Sequence, residues 1–249
     1  MRTAVIIATY NRPDALAAVL AGYAAQDTQD FELLIADDGS RDDIRLLVEG
    51  YAKQVSFPVQ HVWQEDDGYR AAAARNRALA HTDAEYVIYT DGDCVPPTFF
   101  VSRHRALAET GWFLSGNRLL LSAGCTQAVL EQHLPIHGWS RAQWLAARLA
   151  RDVNRALPLL HLPDGAWRHR SATRWQGVMT CNFSAWRADL ARVNGFDESY
   201  SGWGLEDTDL VIRLLHAGVR HKSARFAIPI FHLWHRENDR SGLAANQIK

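Results

Sequence analysis

The chain has almost no net charge. Its 249 residues include 27 Lys and Arg against 28 Asp and Glu, which gives a formal net charge of −1. A protein without a basic surplus has no general attraction to the nucleic-acid backbone. The composition therefore disfavours a general nucleic-acid-binding function, and we expect no nucleic-acid partner.

Long apolar runs are also absent. The longest, such as residues 4–8 and 71–74, fall far short of the roughly 20 residues that cross a bilayer. The apolar stretch at the start is followed at once by polar residues 9–12, which is unlike a secretory signal. We therefore expect a cytoplasmic protein without a membrane span.

Cysteine is scarce, with only Cys94, Cys125 and Cys181 in the chain and no C-x-x-C spacing among them. A disulfide framework needs paired cysteines and a structural zinc site needs closely spaced ligands, so neither is indicated. We expect all three to be small buried residues. The 47% of apolar residues is what a folded core requires.

The first 110 residues alternate short β-rich runs with helical stretches. This alternation predicts an α/β fold, in which a mostly parallel sheet is covered by helices on both faces. Proline suits the first turn of a helix because its missing N–H is not needed there. The predicted strands cover residues 3–8, 31–36, 59–63 and 86–90. One predicted helix begins at Pro13, and two others cover residues 42–52 and 71–80.

Polar clusters follow three of these strands. They are residues 9–12, Asp37-Asp38 and Asp91-Gly92-Asp93. Ligands of such sheets bind just beyond the carboxyl ends of the strands. Neither G-x-G-x-x-G nor G-x-x-x-x-G-K-S/T follows the first strand, so a dinucleotide fingerprint and a P-loop are both excluded.

Asp91 and Asp93 are two residues apart, so in extended backbone their carboxylates lie on one side and can share a hard cation. The spacing alone is not specific, since residues 207–209 repeat it, and a solvated acidic turn is the alternative. The place at a strand end favours Mn²⁺ or Mg²⁺ binding. Asp38 is either a helix cap or an acceptor for a base or ribose, with Arg70 and Arg75 available to phosphates.

The segment Gly202-Trp203-Gly204 precedes an acidic stretch that contains Glu206 and Asp207. One interpretation is a helix N-terminus, where negative charge is favourable. The other is a sugar platform, because glycines permit close approach to an indole face, with a neighbouring carboxylate as general base. His232 and His235 are either core residues or two ligands of the same cation.

Residues 126–175 break the strand–helix pattern and are predicted to form a helical insert. Residues 131–175 contain seven arginines against Glu131, Asp152 and Asp164, with several tryptophans. Such a segment is either an ordinary helix packed on the core or a face that contacts an anionic membrane or a lipid-linked acceptor.

In order and spacing, the motifs at residues 8–13, 37–40, 68–76 and 91–93 resemble those of family 2 glycosyltransferases of the GT-A fold. Residues 202–207 with His232 and His235 resemble the C-terminal module of β-1,4-galactosyltransferases and polypeptide N-acetylgalactosaminyltransferases. Two departures are Leu205, where the galactosyltransferases usually have glycine, and His232, where they have methionine. Residues 126–175 match neither pattern.

The resemblance implies one GT-A domain over 1–249, with a donor region at 1–125, the insert at 126–175 and an acceptor and metal-completing region at 176–249. It implies that Asp207 is the catalytic base and that Trp203 and Glu206 bind the acceptor. The implied donor-binding residues are Thr9, Asn11, Arg12, Asp38, Arg70, Arg75 and Asp91, and the implied ligands of Mn²⁺ or Mg²⁺ are Asp91, Asp93, His232 and His235.

The function expected from these features is metal-dependent, inverting transfer of a hexose from a UDP-sugar to a hydroxyl of a glycan or lipid-linked glycan, as in bacterial envelope polysaccharide or lipopolysaccharide synthesis. One alternative is a sugar-1-phosphate nucleotidyltransferase, although residues 6–11 lack its glycine-rich basic loop. The other is a non-catalytic carbohydrate-binding protein, for which the tryptophans suffice.

Overall fold

The computed structural model describes residues 1–200, 202, 204–236 and 246, apart from the side chain of residue 158. The first third alternates strands and helices as predicted, with bounds within about two residues of the expected ones. The elements are β1 (Thr3–Thr9), α1 (Pro13–Ala24), β2 (Glu32–Asp37), α2 (Asp42–Ala52), β3 (Val59–Trp63), α3 (Ala71–Ala80) and β4 (Tyr86–Asp91).

The rest of the described chain has shorter elements. These are β5 (Cys94–Val95), α4 (Phe100–Leu107), β6 (Trp112–Ser115), β7 (Asn117–Leu120), α5 (Ala123–Gln132), α6 (Arg141–Leu149), β8 (Phe183–Trp186), α7 (Arg187–Arg192), α8 (Glu206–His216), β9 (Arg220–Ser223) and β10 (Pro229–His232). None of the helices in the described part of the chain is both long and apolar enough to cross a bilayer.

The main sheet has seven strands in the order β3-β2-β1-β4-β8-β6-β9. Strands β3, β2, β1 and β4 run parallel, and β8 pairs antiparallel with both β4 and β6. β1 and β4 are buried along nearly their whole length, as strands covered by helices on both faces must be. The predicted mostly parallel α/β sheet is therefore confirmed, and its parallel strands end at one edge.

A second sheet of three strands, in the order β5-β10-β7, lies beyond that edge. β10 pairs antiparallel with β5, which sets His232 opposite Cys94, and parallel with β7, which sets His232 opposite Leu120. Since Asp93 directly precedes Cys94, this pairing brings a histidine from the C-terminal part of the chain to the D-G-D segment.

The predicted insert is helical only in its first half. α5 begins at Ala123, α6 ends at Leu149, and residues 150–182 contain only short 3-10 turns within irregular chain. Buried Arg168 attaches this irregular chain to the region around β9, because it donates hydrogen bonds to the carbonyl oxygens of Ser223 and Arg225 at 2.9 and 2.8 Å.

The burial of the cysteines and of Trp144 bears on two further expectations from the sequence. All three cysteines are buried and unpaired, as expected. Trp144, in contrast, is not available to a membrane, because it packs in the core with its ring centroid 4.1 Å from that of Phe231. The face that α6 exposes is formed by other residues.

Candidate active site

A cavity of about 600 Å³ lies at the carboxyl ends of β1, β2 and β4 and extends to the second sheet. Its walls are formed by side chains from both sheets. The predicted site residues among them are Thr9, Arg12, Asp38, Arg75, Asp91, Asp93, His232 and His235. A separate cavity of about 740 Å³, between α3, α7 and the loop at 193–199, contains none of the predicted site residues.

Gly92 is required between the two aspartates. Its N–H donates to the carbonyl oxygen of Ala8 at 2.7 Å, and a Cβ placed on it would lie 2.8 Å from Oγ1 of Thr9. Only glycine permits this close approach between the end of β4 and the end of β1. The turn also separates the two carboxylates, since Asp91 contacts Arg75 while Asp93 faces the two histidines.

Arg75 is the centre of an acidic cluster. Its side chain is only 4% exposed, and its guanidinium lies 2.8 Å from Asp91, 3.5 Å from Glu206 and 3.8 Å from Asp207. Burial alone would lower the pKa of Arg75, but the surrounding carboxylates raise it above its ordinary value. Arg75 thus stays charged and joins the end of β4 to the start of α8. Its Nη1 has no hydrogen-bond acceptor among the described residues, so donor binding by Arg75 stays a prediction.

Asp207 is held by Thr180, a residue that the sequence analysis did not single out. The Thr180 backbone N–H donates to one carboxylate oxygen of Asp207 at 3.0 Å, and its hydroxyl donates to the other at 2.5 Å. The Asp207 side chain is 26% exposed, so these bonds orient it while leaving it accessible. It contacts the cavity wall through Arg75, and it is not itself one of the described lining residues.

Glu206 differs from its neighbour in being buried. Burial raises its pKa, the negative charge of Asp207 raises it further, and Arg75 opposes both effects. A buried acid with a raised pKa holds its proton more readily than an exposed one, which suits it to hydrogen bonding with a sugar hydroxyl. The two adjacent acids therefore have different environments.

Asp93, His232 and His235 form the candidate metal centre. Nε2 of His235 lies 3.3 Å and Nε2 of His232 lies 3.6 Å from the same carboxylate oxygen of Asp93. Burial lowers the pKa of His232, although Asp93 opposes this effect, and the neutral imidazole is the form that binds metals. One carboxylate oxygen and two imidazole nitrogens are a donor set for a divalent transition-metal ion, and the carboxylate is a ligand type that suits Mn²⁺. Asp91, in contrast, is paired with Arg75.

The nucleotide side of the cavity is built around Asp38. Its two carboxylate oxygens accept hydrogen bonds from the Gln64 amide at 2.6 Å and from the Arg70 backbone N–H at 2.7 Å. Burial raises the pKa of Asp38, and these two hydrogen bonds counteract the rise. The Arg70 side chain turns away, donating to the carbonyl oxygen of Glu65. Binding of the base by Asp38 and of the donor by Arg70 stays a prediction.

Asn11 has a role within the protein that the motif did not reveal. Its backbone N–H donates to Oγ of Ser40, and its amide oxygen accepts from the Arg41 N–H. Asn11 has a φ of +47°, a conformation in which asparagine is several-fold enriched. These bonds hold the loop after β1 against the loop after β2. Arg12 lines the cavity and pairs with Asp14 at 3.6 Å.

The segment before α8 is described only in part. Trp203, the predicted sugar platform, lies outside the described residues, and its role stays a prediction. The N–H of Gly202 donates to the carbonyl oxygen of Tyr69 at 3.2 Å, which ties this segment to the donor side. Leu205 has a φ of +78°, a strained conformation for a leucine at the position where the galactosyltransferases usually carry glycine. α8 begins at Glu206, so the predicted helix start is confirmed.

Replacement of Arg75 by Met should destabilise the protein, because three carboxylates would lose their shared cation. Loss of one partner of a buried ion pair costs about 3–5 kcal/mol. The pKa of Glu206, which burial and Asp207 already raise against the opposition of Arg75, would rise further above its unfolded value, so stability would be lost as the pH rises. We therefore expect a larger defect at pH 8 than at pH 5, measured by urea unfolding.

The matched control is Arg45→Met. Arg45 also pairs with acids, Asp42 and Glu49, but on the surface, where solvent screens such pairs and they contribute little to stability. A defect of Arg75→Met that is no larger than the defect of Arg45→Met, or one that does not change with pH, would contradict the role assigned to Arg75.

Two family models match the chain. "Glycosyl transferase family 2" matches residues 4–146, and "N-terminal domain of galactosyltransferase" matches residues 166–236. The matches include residues 126–146 and 166–175, so the expectation that the whole insert lies outside family patterns is wrong. The physical reason is visible in α6, since Trp144 of this helix packs on Phe231 of β10 and belongs to the same hydrophobic core.

Curated relatives show the same similarity. Validoxylamine A glucosyltransferase of Streptomyces hygroscopicus subsp. jinggangensis is 31% identical over 86% of this chain and 51% of its own length. Chondroitin synthase of Pasteurella multocida is 26% identical over 86% of this chain and 23% of its own length. The chain thus spans about half or less of these relatives.

Solved structures share the fold. A mannosyltransferase from Pyrobaculum calidifontis, in complex with GDP-Man and Mn²⁺, has a TM-score of 0.65 at 18% identity and covers 95% of this chain and 58% of its own. S. aureus TarS 1-349 in complex with UDP-GlcNAc has a TM-score of 0.64 at 16% identity and covers 96% and 60%. With its GT-A fold and the match over residues 4–146, the chain belongs to glycosyltransferase family 2.

Proposed function

We propose that the protein is a metal-dependent inverting glycosyltransferase that moves a hexose from a UDP-sugar to a hydroxyl of a glycan. The observation that carries this proposal is the presence of two distinct groups of side chains at one cavity. Asp93, His232 and His235 lie together in its wall, while Asp207 is oriented by Thr180 and pairs with Arg75, which lines the same cavity. The first group suits a departing diphosphate, and the second suits an attacking hydroxyl.

Each bond that forms or breaks in the transfer can be assigned to a group of the protein or of its substrates. Asp207 takes the proton of the acceptor hydroxyl, whose oxygen forms a bond to the anomeric carbon. The bond from that carbon to the β-phosphate oxygen of the donor breaks on the opposite face, and its electron pair leaves with UDP. A single displacement of this kind inverts the anomeric centre. Glu206, on the first turn of α8, binds an acceptor hydroxyl.

Asp93, His232 and His235 would hold Mn²⁺. Asp91 would contribute indirectly, by pairing with Arg75. A bound cation would supply positive charge that offsets the charge of the diphosphate. Support comes from the solved structures, since the archaeal mannosyltransferase is described with Mn²⁺ and GDP-Man, and TarS with UDP-GlcNAc. Chondroitin synthase among the relatives supports a growing glycan as acceptor, which for this chain would be an envelope polysaccharide or lipopolysaccharide.

Neither alternative explains the site as well. A sugar-1-phosphate nucleotidyltransferase would not belong to glycosyltransferase family 2, and a carbohydrate-binding module would have no use for a carboxylate oriented by Thr180 beside a buried arginine. Turnover of a UDP-sugar in the presence of Mn²⁺ would separate the proposed function from both.

Asp207→Asn keeps the shape of the side chain and removes its basicity. We expect kcat to fall by roughly 10²-fold or more, with donor affinity nearly unchanged. Thr180→Val, which removes only the hydroxyl that donates to Asp207, should lower kcat by a smaller factor, whereas Thr180→Ser should retain it. Glu206→Gln should mainly raise KM for the acceptor. A near wild-type kcat for Asp207→Asn, or a product that keeps the donor's anomeric configuration, would refute this mechanism.

The metal centre predicts that UDP binding has a component that depends on Mn²⁺. Asp93→Ala should abolish that component, as measured by calorimetry with Mn²⁺ and with EDTA. His235→Ala should raise the Mn²⁺ concentration for half-maximal activity by roughly 10-fold or more, since groups one shell further out already contribute about 10–100-fold. If only His232→Ala has this effect, His232 rather than His235 is the main imidazole ligand. Unchanged UDP affinity in Asp93→Ala would contradict the proposed metal centre.

We also propose that α6 contacts an anionic membrane surface that carries the acceptor. Leu145 and Leu149 lie one turn apart on its outer face and are 56% and 78% exposed, whereas Trp144 on the inner face is buried. Exposed arginines at 141 and 148 flank these leucines. Exposed apolar side chains beside cations are the pattern of an interfacial helix. On α6 the contact therefore involves leucines rather than Trp144.

Flotation with anionic liposomes tests this surface. The wild-type protein should float at low salt and less at high salt, because salt screens the arginines. The double variant Leu145→Ser/Leu149→Ser should lose roughly half or more of the recovery, since burying each leucine contributes up to about 1.5–3 kcal/mol. Leu46→Ser is the control, because Leu46 on α2 is about as exposed as Leu145. If wild type and double variant float to the same extent, α6 is an ordinary surface helix.

A further inference from the structure

Arg118 is a cation of the active-site cavity that has no acidic partner among the described residues. It lies in β7, is half-buried, and lines the cavity together with Asp91, Asp93 and His232. Two other arginines of the cavity wall are paired, Arg12 with Asp14 and Arg75 with Asp91. The guanidinium of Arg118, in contrast, makes no ion pair or hydrogen bond with any residue in the described part of the chain.

The strand pairing explains why Arg118 faces the cavity. β7 runs parallel to β10 with Leu120 opposite His232, so residues two apart on β7 share the face that carries His232. Arg118 and Leu120 are two apart, and both line the cavity. The second sheet therefore presents a metal ligand from one strand and a guanidinium from the adjacent strand.

The cavity keeps this guanidinium charged. Burial lowers the pKa of Arg118, but Cys181, Cys94 and the two aspartates of the D-G-D segment together raise it above its ordinary value. A half-buried cation without a hydrogen-bonded acid is costly unless an anion offsets it. The backbone of Arg118 has a separate role, since its carbonyl oxygen accepts a hydrogen bond from Nη2 of Arg155 at 2.7 Å.

We infer that Arg118 binds the diphosphate of the donor and donates hydrogen bonds to the phosphate oxygen that leaves. The inference rests on the proposed function, because it needs a donor with a diphosphate leaving group. When the bond between the anomeric carbon and the β-phosphate oxygen breaks, the electron pair stays on that oxygen, and the acceptor proton goes to Asp207. A guanidinium suits this task because its planar, forked donors match two phosphate oxygens at once.

Arg118 would stabilise the leaving group, a task for which Arg75 is less available because carboxylates of the protein already pair with it. Arg75 is surrounded by three carboxylates, so its charge is already offset within the protein. Arg118 lacks such a partner within the described chain, and its charge remains available to the ligand. Arg118 of β7 then contacts the diphosphate directly, while His232 of the adjacent strand β10, together with Asp93 and His235, would hold the cation that offsets its charge.

Calorimetry of UDP binding to Arg118→Met tests the contact without turnover. We expect the Kd of UDP to rise by roughly 10-fold or more both with Mn²⁺ and with EDTA, because a charge-assisted hydrogen bond is lost in either case. With a saturating UDP-sugar, kcat should fall by roughly 10²-fold, the usual effect of removing one donor that stabilises developing charge. Guanidinium ion added to the Arg118→Met protein should restore part of the rate.

Arg155→Met is the matched control. This substitution removes the side chain that supports the backbone of β7 but leaves the guanidinium of Arg118 in the cavity. UDP affinity and kcat should therefore stay near the wild-type values. If Arg118→Met does not fold, Arg118→Lys replaces it, and loss of the forked donors should then weaken UDP binding while charge is retained.

Failure of this inference differs from failure of the proposed function. Wild-type UDP affinity and kcat in a folded Arg118 variant, alongside a wild-type enzyme that uses UDP-sugars, would overturn the role of Arg118 alone. A wild-type protein that binds no UDP with or without Mn²⁺ would overturn the proposed function first.

Discussion

The ion cluster around Arg75 is the interaction on which the rest of the site depends. A single buried guanidinium holds Asp91 at the end of β4 and both Glu206 and Asp207 at the start of α8. Asp91 is more than a hundred residues away from Glu206 and Asp207 in the chain, and without the cation the charges of these acids would repel. The same residue thereby sets the distance between the donor side and the acceptor side of the cavity.

The cluster also divides the cations of the site into two kinds. Arg75 is offset by carboxylates from within the protein, which makes it a structural centre, although its Nε and Nη1 have no hydrogen-bond acceptor among the described residues. Arg118, in contrast, provides positive charge that no acid in the described part of the chain pairs with. An anionic ligand is the group that such an arrangement accommodates, because unpaired charge in a half-buried cavity is costly. Neutral sugars alone would not need it.

Sequence reasoning could predict the elements that local patterns specify. Continuous apolar runs marked β1 and β4, Pro13 marked the start of α1, and the acidic run at residues 206–209 marked α8. The family motifs also indicated which residues gather at the strand ends. Thr180 and Gln64 were missed because no local pattern distinguishes them, and each acts through a partner more than twenty residues away in the chain. Arg118 was missed because its place in the cavity follows from the pairing of β7 with β10. The division of the chain into the regions 1–125, 126–175 and 176–249 stays a prediction.

The sequence by itself therefore determined the fold class, the order of the first seven elements and the residue types available for chemistry, since these follow from periodicity and composition. Only the tertiary structure decided how those residues are paired. It separated Asp91 from Asp93 across Gly92, buried Trp144 while exposing Leu149, and left Arg118 without an acid among the residues it describes. The physical reason is that charge pairing and burial depend on contacts between distant strands, and a periodic pattern contains no information on those contacts.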